Sequence, residues 1–173
     1  MSLRPILKYG APELAASSVP LTTLDESTAE LAKDMLETMY AAPGVGLAAP
    51  QIGLNVRLIV IDVTGGHDSA NVIVMANPEL LEQEGDQREE EGCLSVPAFG
   101  GVVARPTRVL VKGLNLQGKE YKVEGTGLLA RAFCHEIDHL NGRLFISRLG
   151  VLKRDLITRK IQKKIREGSW QSY

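Results

Sequence analysis

Cysteine, net charge and long apolar runs are all scarce in this sequence. Its 173 residues include two cysteines, Cys93 and Cys134, which are too few for a disulfide framework. A formal net charge of −1 gives no overall attraction to nucleic acid or to a membrane surface. No apolar run approaches the length of a membrane span, and charge and proline interrupt the first five residues. We therefore expect a cytoplasmic protein with neither a membrane nor DNA among its partners.

The most informative stretch is the pentapeptide at residues 135–139, which reads HEIDH. In a helix, His135 and His139 leave one face a single turn apart, so both imidazoles can reach one divalent metal ion. Glu136 lies about a hundred degrees around the helix. From there its carboxylate can take a proton from a metal-bound water without binding the ion. The pattern predicts a metal-dependent hydrolase, and the alternative is a surface helix with two unrelated histidines.

Two histidines rarely hold a catalytic metal alone, so the third ligand decides the class of enzyme. The metzincin spacing requires a further histidine where this chain has Phe145. A thermolysin-like glutamate could only be Glu167, close to the end of the last predicted helix. Cys93 is the better candidate, since a His₂Cys set leaves a fourth position for water, and its thiolate suits Fe²⁺ as well as Zn²⁺. The alternative is that Cys93 is a buried small hydrophobe, as we expect for Cys134.

Hydrophobic periodicity predicts three helices, at residues 25–42, 126–140 and 151–167. Asp25 or Ser27 caps the first helix, and Asn141-Gly142 ends the second. Strands are predicted at residues 56–63, 71–76, 107–116 and 120–123. We expect an α+β fold, with antiparallel sheets packed around a central metal-binding helix and with an N-terminal and a C-terminal helix. Because neither a repeat nor a linker interrupts the chain, residues 1–173 are expected to form a single domain.

Three separated stretches resemble the signature motifs of the peptide deformylase family, in the same order and spacing. They are residues 44–51 (GVGLAAPQ), 91–95 (EGCLS) and 135–139 (HEIDH), and the resemblance extends from Arg4 to Phe145. Peptide deformylases remove the formyl group from N-formylmethionine at the start of nascent bacterial or organellar chains. The resemblance implies one Fe²⁺ per chain, for which Zn²⁺, Ni²⁺ or Co²⁺ can substitute. N-formylmethionyl nascent peptides are then the expected substrates.

The resemblance also implies the catalytic roles. It makes three residues the metal ligands: Cys93, His135 and His139. Glu136 becomes the general acid and base. Gln51 would donate its side-chain amide, and Leu94 its backbone N–H, to the formyl oxygen as negative charge develops there. The structural alternative for Gln51 is a hydrogen bond to neighbouring loop backbone.

The same resemblance implies a set of substrate contacts: Val45, Gly46, Glu91, Gly92, Leu128 and Ala132. Two of them, Leu128 and Ala132, share one helical stripe with His135, which suits a surface for the methionine side chain. Their alternative is membership of the hydrophobic core. Glu91 has two alternatives: it orients a metal ligand through a hydrogen bond, or it is solvated like the rest of its acidic segment.

Two further expectations concern residues beside the motifs. Asp138 is expected to pair with Arg105. Many peptide deformylases carry glutamine where this chain has Cys134. Because that position points away from the metal, we expect no loss of activity.

The predicted C-terminal helix carries seven basic residues against Asp155 and Glu167. It resembles the segment with which bacterial deformylases dock near the ribosomal exit tunnel, where its bases would meet RNA phosphate. The alternative is a solvated face of an amphipathic helix.

Two other functions remain compatible with the motifs. A zinc endopeptidase could share only the helix motif. A non-catalytic protein with a structural metal would require a fourth protein ligand, and no residue stands out for that position.

Overall fold

Three α-helices, seven β-strands and four short 3₁₀ helices make up the regular structure of residues 2–170, the part of the chain that the computed structural model describes. In chain order they are α1 (Glu26–Ala41), β1 (Gly46–Ala48), β2 (Leu58–Ile61), β3 (Ile73–Glu84), β4 (Gln87–Cys93), β5 (Val96–Arg105), β6 (Arg108–Leu114), β7 (Glu120–Thr126), α2 (Gly127–Leu140) and α3 (Val151–Arg166). The strands form a five-stranded antiparallel sheet in the order β1-β2-β3-β6-β7, and a separate antiparallel pair of β4 and β5. This architecture confirms the predicted α+β class.

Strand β2 lies between α1 and α2 and is buried along its whole length. Its alternate side chains face opposite ways, so Leu58 and Val60 join the cluster under α1, which includes Met35. Ile59 joins the cluster under α2, which includes Phe133. Because both faces of β2 are covered, its sequence is a continuous apolar run instead of an alternating one.

Helix α1 begins after Asp25, as the sequence predicts. The Asp25 carboxylate accepts hydrogen bonds from the backbone N–H groups of Ser27 and Thr28, at 3.0 and 3.3 Å. These bonds satisfy N–H groups of the first turn that have no partner within the helix. Of the two predicted caps, Asp25 is the one observed, and Ser27 lies in the first turn.

Helix α2 ends at Leu140 through a left-handed residue, Gly142, whose φ is +74°. Gly142 N–H donates to the carbonyl of His139 at 3.1 Å, and Arg143 N–H donates to that of Asp138 at 2.9 Å. The two bonds form a Schellman motif, which confirms the predicted helix end. They also fix the turn of α2 that carries His139.

Strands β4 and β5 are not predicted by the sequence. Strand β4 contains three consecutive glutamates, and β5 contains Gly100-Gly101, so neither strand shows an apolar alternation. In the structure Glu91 is buried, whereas Glu89 and Glu90 are exposed. The acidic segment is thus only partly a solvated surface.

Strand β3 is longer than predicted, because it continues past Pro78 to Glu84. A register shift between Ala76 and Glu79 inserts one extra residue opposite β6, and Asn77 there has a φ of +51°. Such a bulge accommodates a proline that cannot donate to the ladder. The other predicted strands are observed with ends shifted by at most three residues, and β1 lies within the GVGLAAPQ stretch, where no strand is predicted.

Helix α3 packs against the β4–β5 pair. Its buried residues Ile157 and Ile161 share a hydrophobic cluster with Val96 and Val103 of β5 and with Phe145. Of the helices within residues 2–170, none has both the length and the apolar character that a bilayer crossing needs.

Replacing Gly142 by alanine should destabilise the protein through both backbone strain and a clash. A Cβ at this position would lie 2.7 Å from the carbonyl oxygen of Ala15. Gly118 has a similar φ of +78° but no atom within 4 Å of such a Cβ, so Gly118→Ala isolates the strain, about 1–2 kcal/mol. Gly150, with a φ of −58° and open space, carries neither penalty.

We expect urea unfolding curves to rank the loss of unfolding free energy as Gly142→Ala, then Gly118→Ala, then Gly150→Ala. Equal losses for Gly142→Ala and Gly118→Ala would contradict the close packing of Ala15 against the end of α2.

Candidate metal centre and active site

Three potential metal-ligating side chains converge from two elements. Cys93 is the last residue of β4, and His135 and His139 lie one turn apart on α2. Cys93 Sγ lies 3.3 Å from His139 Nε2, which lies 3.2 Å from His135 Nε2. All three ligand atoms lie within 4.8 Å of one another. Ligands about 2.0–2.3 Å from a common ion have comparable separations, so one thiolate and two imidazoles fit a single divalent cation here.

The ring of His135 is oriented by Glu91. Glu91 Oε2 lies 2.6 Å from His135 Nδ1, so an Nδ1–H donates to the carboxylate and the Nε2 lone pair faces the ligand cluster. The other histidine has no such support within residues 2–170, because His139 Nδ1 is buried without a hydrogen-bond partner. The two imidazoles are therefore held differently.

Glu91 is buried and its carboxylate is fully engaged. Arg105 Nη2 donates to Oε2 at 2.6 Å, while Arg105 Nε and Arg131 Nη1 donate to Oε1 at 3.0 and 2.8 Å. Burial alone would raise the pKa of Glu91, but the bonds to His135 and Arg105 hold it well below its usual value. Glu91 is one of the expected substrate contacts, yet both of its carboxylate oxygens already accept hydrogen bonds from protein groups. This geometry favours the alternative in which Glu91 orients His135.

Arg105 extends this network to α2. Its Nη1 donates to Asp138 Oδ2 at 2.8 Å, and Arg148 Nη2 donates to Asp138 Oδ1 at 2.7 Å. The predicted pairing of Asp138 with Arg105 is confirmed. The sequence does not predict the roles of Arg131 and Arg148, since nothing local distinguishes them from surface arginines.

Glu136 lies beside the ligand cluster with its carboxylate buried. Its exposed fraction is 3%, and within residues 2–170 its Oε1 has no hydrogen-bond partner. Burial raises the pKa of Glu136 to about 7, the range in which a general base both accepts and releases protons. The backbone of β1 can lie this close to the Glu136 carboxylate because Gly46 has no side chain. A Cβ there would lie 2.5 Å from Glu136 Oε2.

Gln51 and the turn after Cys93 lie next to the sulfur of Cys93. Gln51 Oε1 accepts from the backbone N–H of Ala48 at 3.0 Å, which is the loop hydrogen bond expected as the structural alternative. Its Nε2 donates to Ser95 Oγ at 3.1 Å and lies 3.7 Å from Cys93 Sγ. The amide therefore has a structural bond and also faces the ligand cluster. Leu94 and Ser95 form the turn between β4 and β5.

Ser95 is a residue that sequence reasoning did not single out. Its backbone N–H donates to Cys93 Sγ at 3.4 Å, and its hydroxyl accepts from Gln51. The position inside the EGCLS motif is the signal that could have found it.

A cleft of about 500 Å³ opens onto Glu136 and His135. Its lining includes all six residues predicted to contact substrate: Val45, Gly46, Glu91, Gly92, Leu128 and Ala132. Gln51, Cys93 and Leu94 also line it. The predicted catalytic and substrate-contacting residues thus lie around one cavity, whose size is in the usual range for ligand sites.

The alternative that Leu128 and Ala132 belong to the hydrophobic core holds for only one of them. Leu128 is 52% exposed, whereas Ala132 is buried in the cluster under α2. Cys134 belongs to the cluster between α2 and the five-stranded sheet, as expected, and burial raises the pKa of its thiol.

The class of protein follows from this arrangement. Cys93 on β4 and the two histidines on α2 form a potential metal site, and the buried Glu136 lies on the same helix as the histidines. Together, beside a cleft, they are the parts of a metal-dependent hydrolase.

Comparisons with known proteins narrow this class. The model of the polypeptide deformylase family matches residues 3–155. The peptide deformylase of Acidobacterium capsulatum is 49% identical over 170 residues, covering 98% of this chain and 100% of that protein. That of Bartonella henselae is 45% identical, covering 99% and 98%. A crystal structure of a peptide deformylase from Legionella pneumophila superposes with a TM-score of 0.90 at 45% identity, over 98% and 99% of the two chains.

The chain belongs to the peptide deformylase family. It is a metal-dependent hydrolase that removes the N-formyl group from nascent peptides. Both rival functions, the zinc endopeptidase and the non-catalytic metal protein, are thereby excluded.

Removing Arg105 should destabilise the protein far more than removing Arg108, although Arg105 pairs with two carboxylates and Arg108 with three. The Arg105 side chain is 2% exposed and bridges two buried acids, whereas that of Arg108 is 26% exposed and pairs with the exposed Glu82, Glu84 and Glu124. We expect Arg105→Ala to cost roughly 3–5 kcal/mol of unfolding free energy, because two buried charges lose a partner. Arg108→Ala should cost much less.

Chemical denaturation of the two variants beside the wild type measures this difference. Similar losses for Arg105→Ala and Arg108→Ala would contradict a structural role for the buried network.

Proposed function

We propose that Cys93, His135 and His139 bind the catalytic metal, and that this metal is Fe²⁺. The observation that carries the proposal is the convergence of Cys93 Sγ and the two Nε2 atoms within 4.8 Å. A donor set of one thiolate and two imidazoles suits Fe²⁺ as well as Zn²⁺, and the family resemblance favours Fe²⁺. Zn²⁺, Ni²⁺ or Co²⁺ would substitute at the same three ligands.

The proposed chemistry assigns proton transfer to Glu136. A divalent cation held by the three ligands would supply Lewis-acid chemistry for activating water and polarising the formyl carbonyl. Glu136 accepts the proton of the attacking water and passes it to the nitrogen of the leaving amine. Its Oε1 has no protein partner among the described residues, which leaves this oxygen available for the transfer.

Gln51 and Leu94 are proposed to stabilise the formyl oxygen. Gln51 Nε2 lies 3.7 Å from Cys93 Sγ, and Leu94 directly follows Cys93 in the turn, so both donors lie next to the ligand cluster. Negative charge develops on the formyl oxygen as the tetrahedral intermediate forms. Loss of one such donor typically lowers the rate by about 10²–10³.

The substrate is proposed to lie in the cleft with its methionine side chain against α2. Leu128, Ala132 and the His135 ring form one stripe along that helix, and the first of them is half exposed toward the cleft. Val45, Gly46 and Gly92 bound the same cavity from the β1 and β4 sides. In this proposal Glu91 acts on substrate only through His135.

Two substitutions separate metal binding from proton transfer. We expect Cys93→Ala to lose both metal and activity. Glu136→Ala should keep about one metal ion per chain yet lower turnover by at least ~10²-fold, because the proton acceptor is gone. Cys134→Ala is the matched control, since it also removes one thiol but from the buried core cluster, and it should keep both.

Elemental analysis after anaerobic purification, paired with an assay on a formyl-Met peptide, gives both readings. Iron should dominate the wild-type protein. A Glu136→Ala protein with a near-normal rate would overturn the assigned mechanism, and a Cys93→Ala protein with full metal content would overturn the ligand set.

We also propose that the single domain, residues 1–173, works in the cytoplasm and docks on the ribosome near the exit tunnel through α3. Ile157 and Ile161 face the core, and most of the basic residues of α3 project from its other faces. The exposed ones are Lys153, Arg159, Lys160, Lys163 and Arg166, whereas Arg154 and Lys164 are half-buried. Deletion of α3 would uncover the core, so charge substitutions are the cleaner test.

Arg159→Ala combined with Lys160→Ala should weaken co-sedimentation with ribosomes. The slope of log affinity against log salt should become shallower by about 0.7–0.9 for each phosphate that is no longer neutralised. Activity on free formyl-Met peptides should not change. The control is Lys119→Ala with Lys122→Ala, which removes the same charge from two residues at the β6–β7 end. Equal weakening by both pairs would contradict docking through α3.

A further inference from the structure

The only tryptophan of the chain, Trp170, is brought back to the body of the protein by a turn after α3. Gly168 has a φ of +73°. Its N–H donates to Ile165 O at 3.1 Å, and Ser169 N–H donates to Lys164 O at 2.9 Å. This is a second Schellman motif, and it reverses the chain direction. Trp170 consequently packs at the edge of the hydrophobic cluster shared by α3 and β5.

Trp170 makes two specific contacts there. Its indole N–H donates to the carbonyl of Tyr9 at 2.9 Å, and the N–H of Tyr9 donates to the carbonyl of Ser95 at 2.8 Å. The indole ring of Trp170 lies against Phe99, with ring centroids 6.3 Å apart and ring planes inclined by 53°. This geometry is a favourable tilted aromatic pair. Through Tyr9, which is bonded to Ser95, and through Phe99, the two contacts connect Trp170 to the turn and the strand that follow Cys93.

Phe99 lines the substrate cleft and is poorly fixed by its own strand. The β4–β5 register pairs Gly92 with Gly100 and Cys93 with Val96, which leaves residues 97–99 without partners in β4. Ala98 in this bulge has a φ of +70°, a conformation rare for residues other than glycine. The position of Phe99 therefore depends on contacts outside the ladder.

We propose that Trp170 is a positioning residue for the substrate, because it holds Phe99 as the wall of the cleft that meets the peptide beyond the formylmethionine. The inference rests on the proposed placement of substrate in this cleft. There the α2 stripe takes the methionine side chain, which leaves Ala98 and Phe99 for the following residues. The cleft, at about 500 Å³, has room for more than one residue.

The test compares a tripeptide with a single-residue substrate. Trp170→Ala should raise KM for a formyl-Met tripeptide about three- to tenfold, the size expected from losing one aromatic pair. Its kcat should stay within about twofold, and KM for formyl-methionine amide should not change, because that substrate ends before Phe99. Trp170→Phe, which keeps an aromatic ring, should restore most of the affinity.

Trp170 also provides a direct binding signal. In a Glu136→Gln background, the tripeptide should change tryptophan emission in a saturable way, whereas formyl-methionine amide should not. Phe99→Leu should reduce this signal. Leu152→Ala, an exposed substitution on α3, is the control and should leave kinetics and emission unchanged.

Equal KM changes for both substrates, a fall in kcat alone, or emission that ignores the tripeptide would overturn the proposal. If the wild type hydrolyses neither substrate, the proposed function fails instead. Thermal unfolding of Trp170→Ala identifies general destabilisation, which would affect both substrates alike.

Discussion

Arg105 joins the two parts of the molecule from which the proposed metal ligands come. Cys93 belongs to the separate β4–β5 pair, whereas the histidines belong to α2, which packs on the five-stranded sheet. Arg105 bridges Glu91 on β4 and Asp138 on α2 with its side chain 2% exposed. A guanidinium presents its donors in a fixed planar arrangement, so two carboxylates bound to it hold a defined relative position. The spacing of the ligand cluster depends on that constraint.

The same network sets the tautomer of His135, one of the proposed metal ligands. Glu91 receives bonds from two arginines and from His135, so it stays ionised and keeps the proton of His135 on Nδ1. Buried charges are costly to desolvate, and a network of this kind adds little net stability over an apolar core. Its benefit here is geometric, because Nε2 is left free on the side of Cys93. This orientation suits the proposed coordination of one metal ion by the cluster.

The sequence predicted those features that depend on local pattern. Asp25, the Gly142 helix end and the spacing of His135 and His139 all follow from the geometry of a single helix. Cys93 was selected by ligand chemistry, and its convergence with the histidines is seen in the structure. The family resemblance then supplied the cleft residues, which lie around one cavity.

The missed features depend on partners distant in sequence. Strand β4 lacks an apolar alternation because its buried residue, Glu91, is charged and pairs with arginines. Hydrophobic periodicity assigns a glutamate to an exposed position. Arg131 is buried only because the carboxylate of Glu91, from another element, meets it, and Arg148 is fixed, although exposed, only because it meets Asp138. The passage of β3 through Pro78 requires a bulge against β6. None of these three is encoded in its immediate neighbours.

X-ray absorption spectroscopy of the metal-loaded protein tests the central claim most directly. The arrangement predicts one sulfur ligand and two imidazole nitrogens, with the remaining coordination filled by oxygen from solvent. A spectrum without sulfur, or one in which a fourth protein side chain closes the site, would contradict the account of how β4 and α2 build this centre.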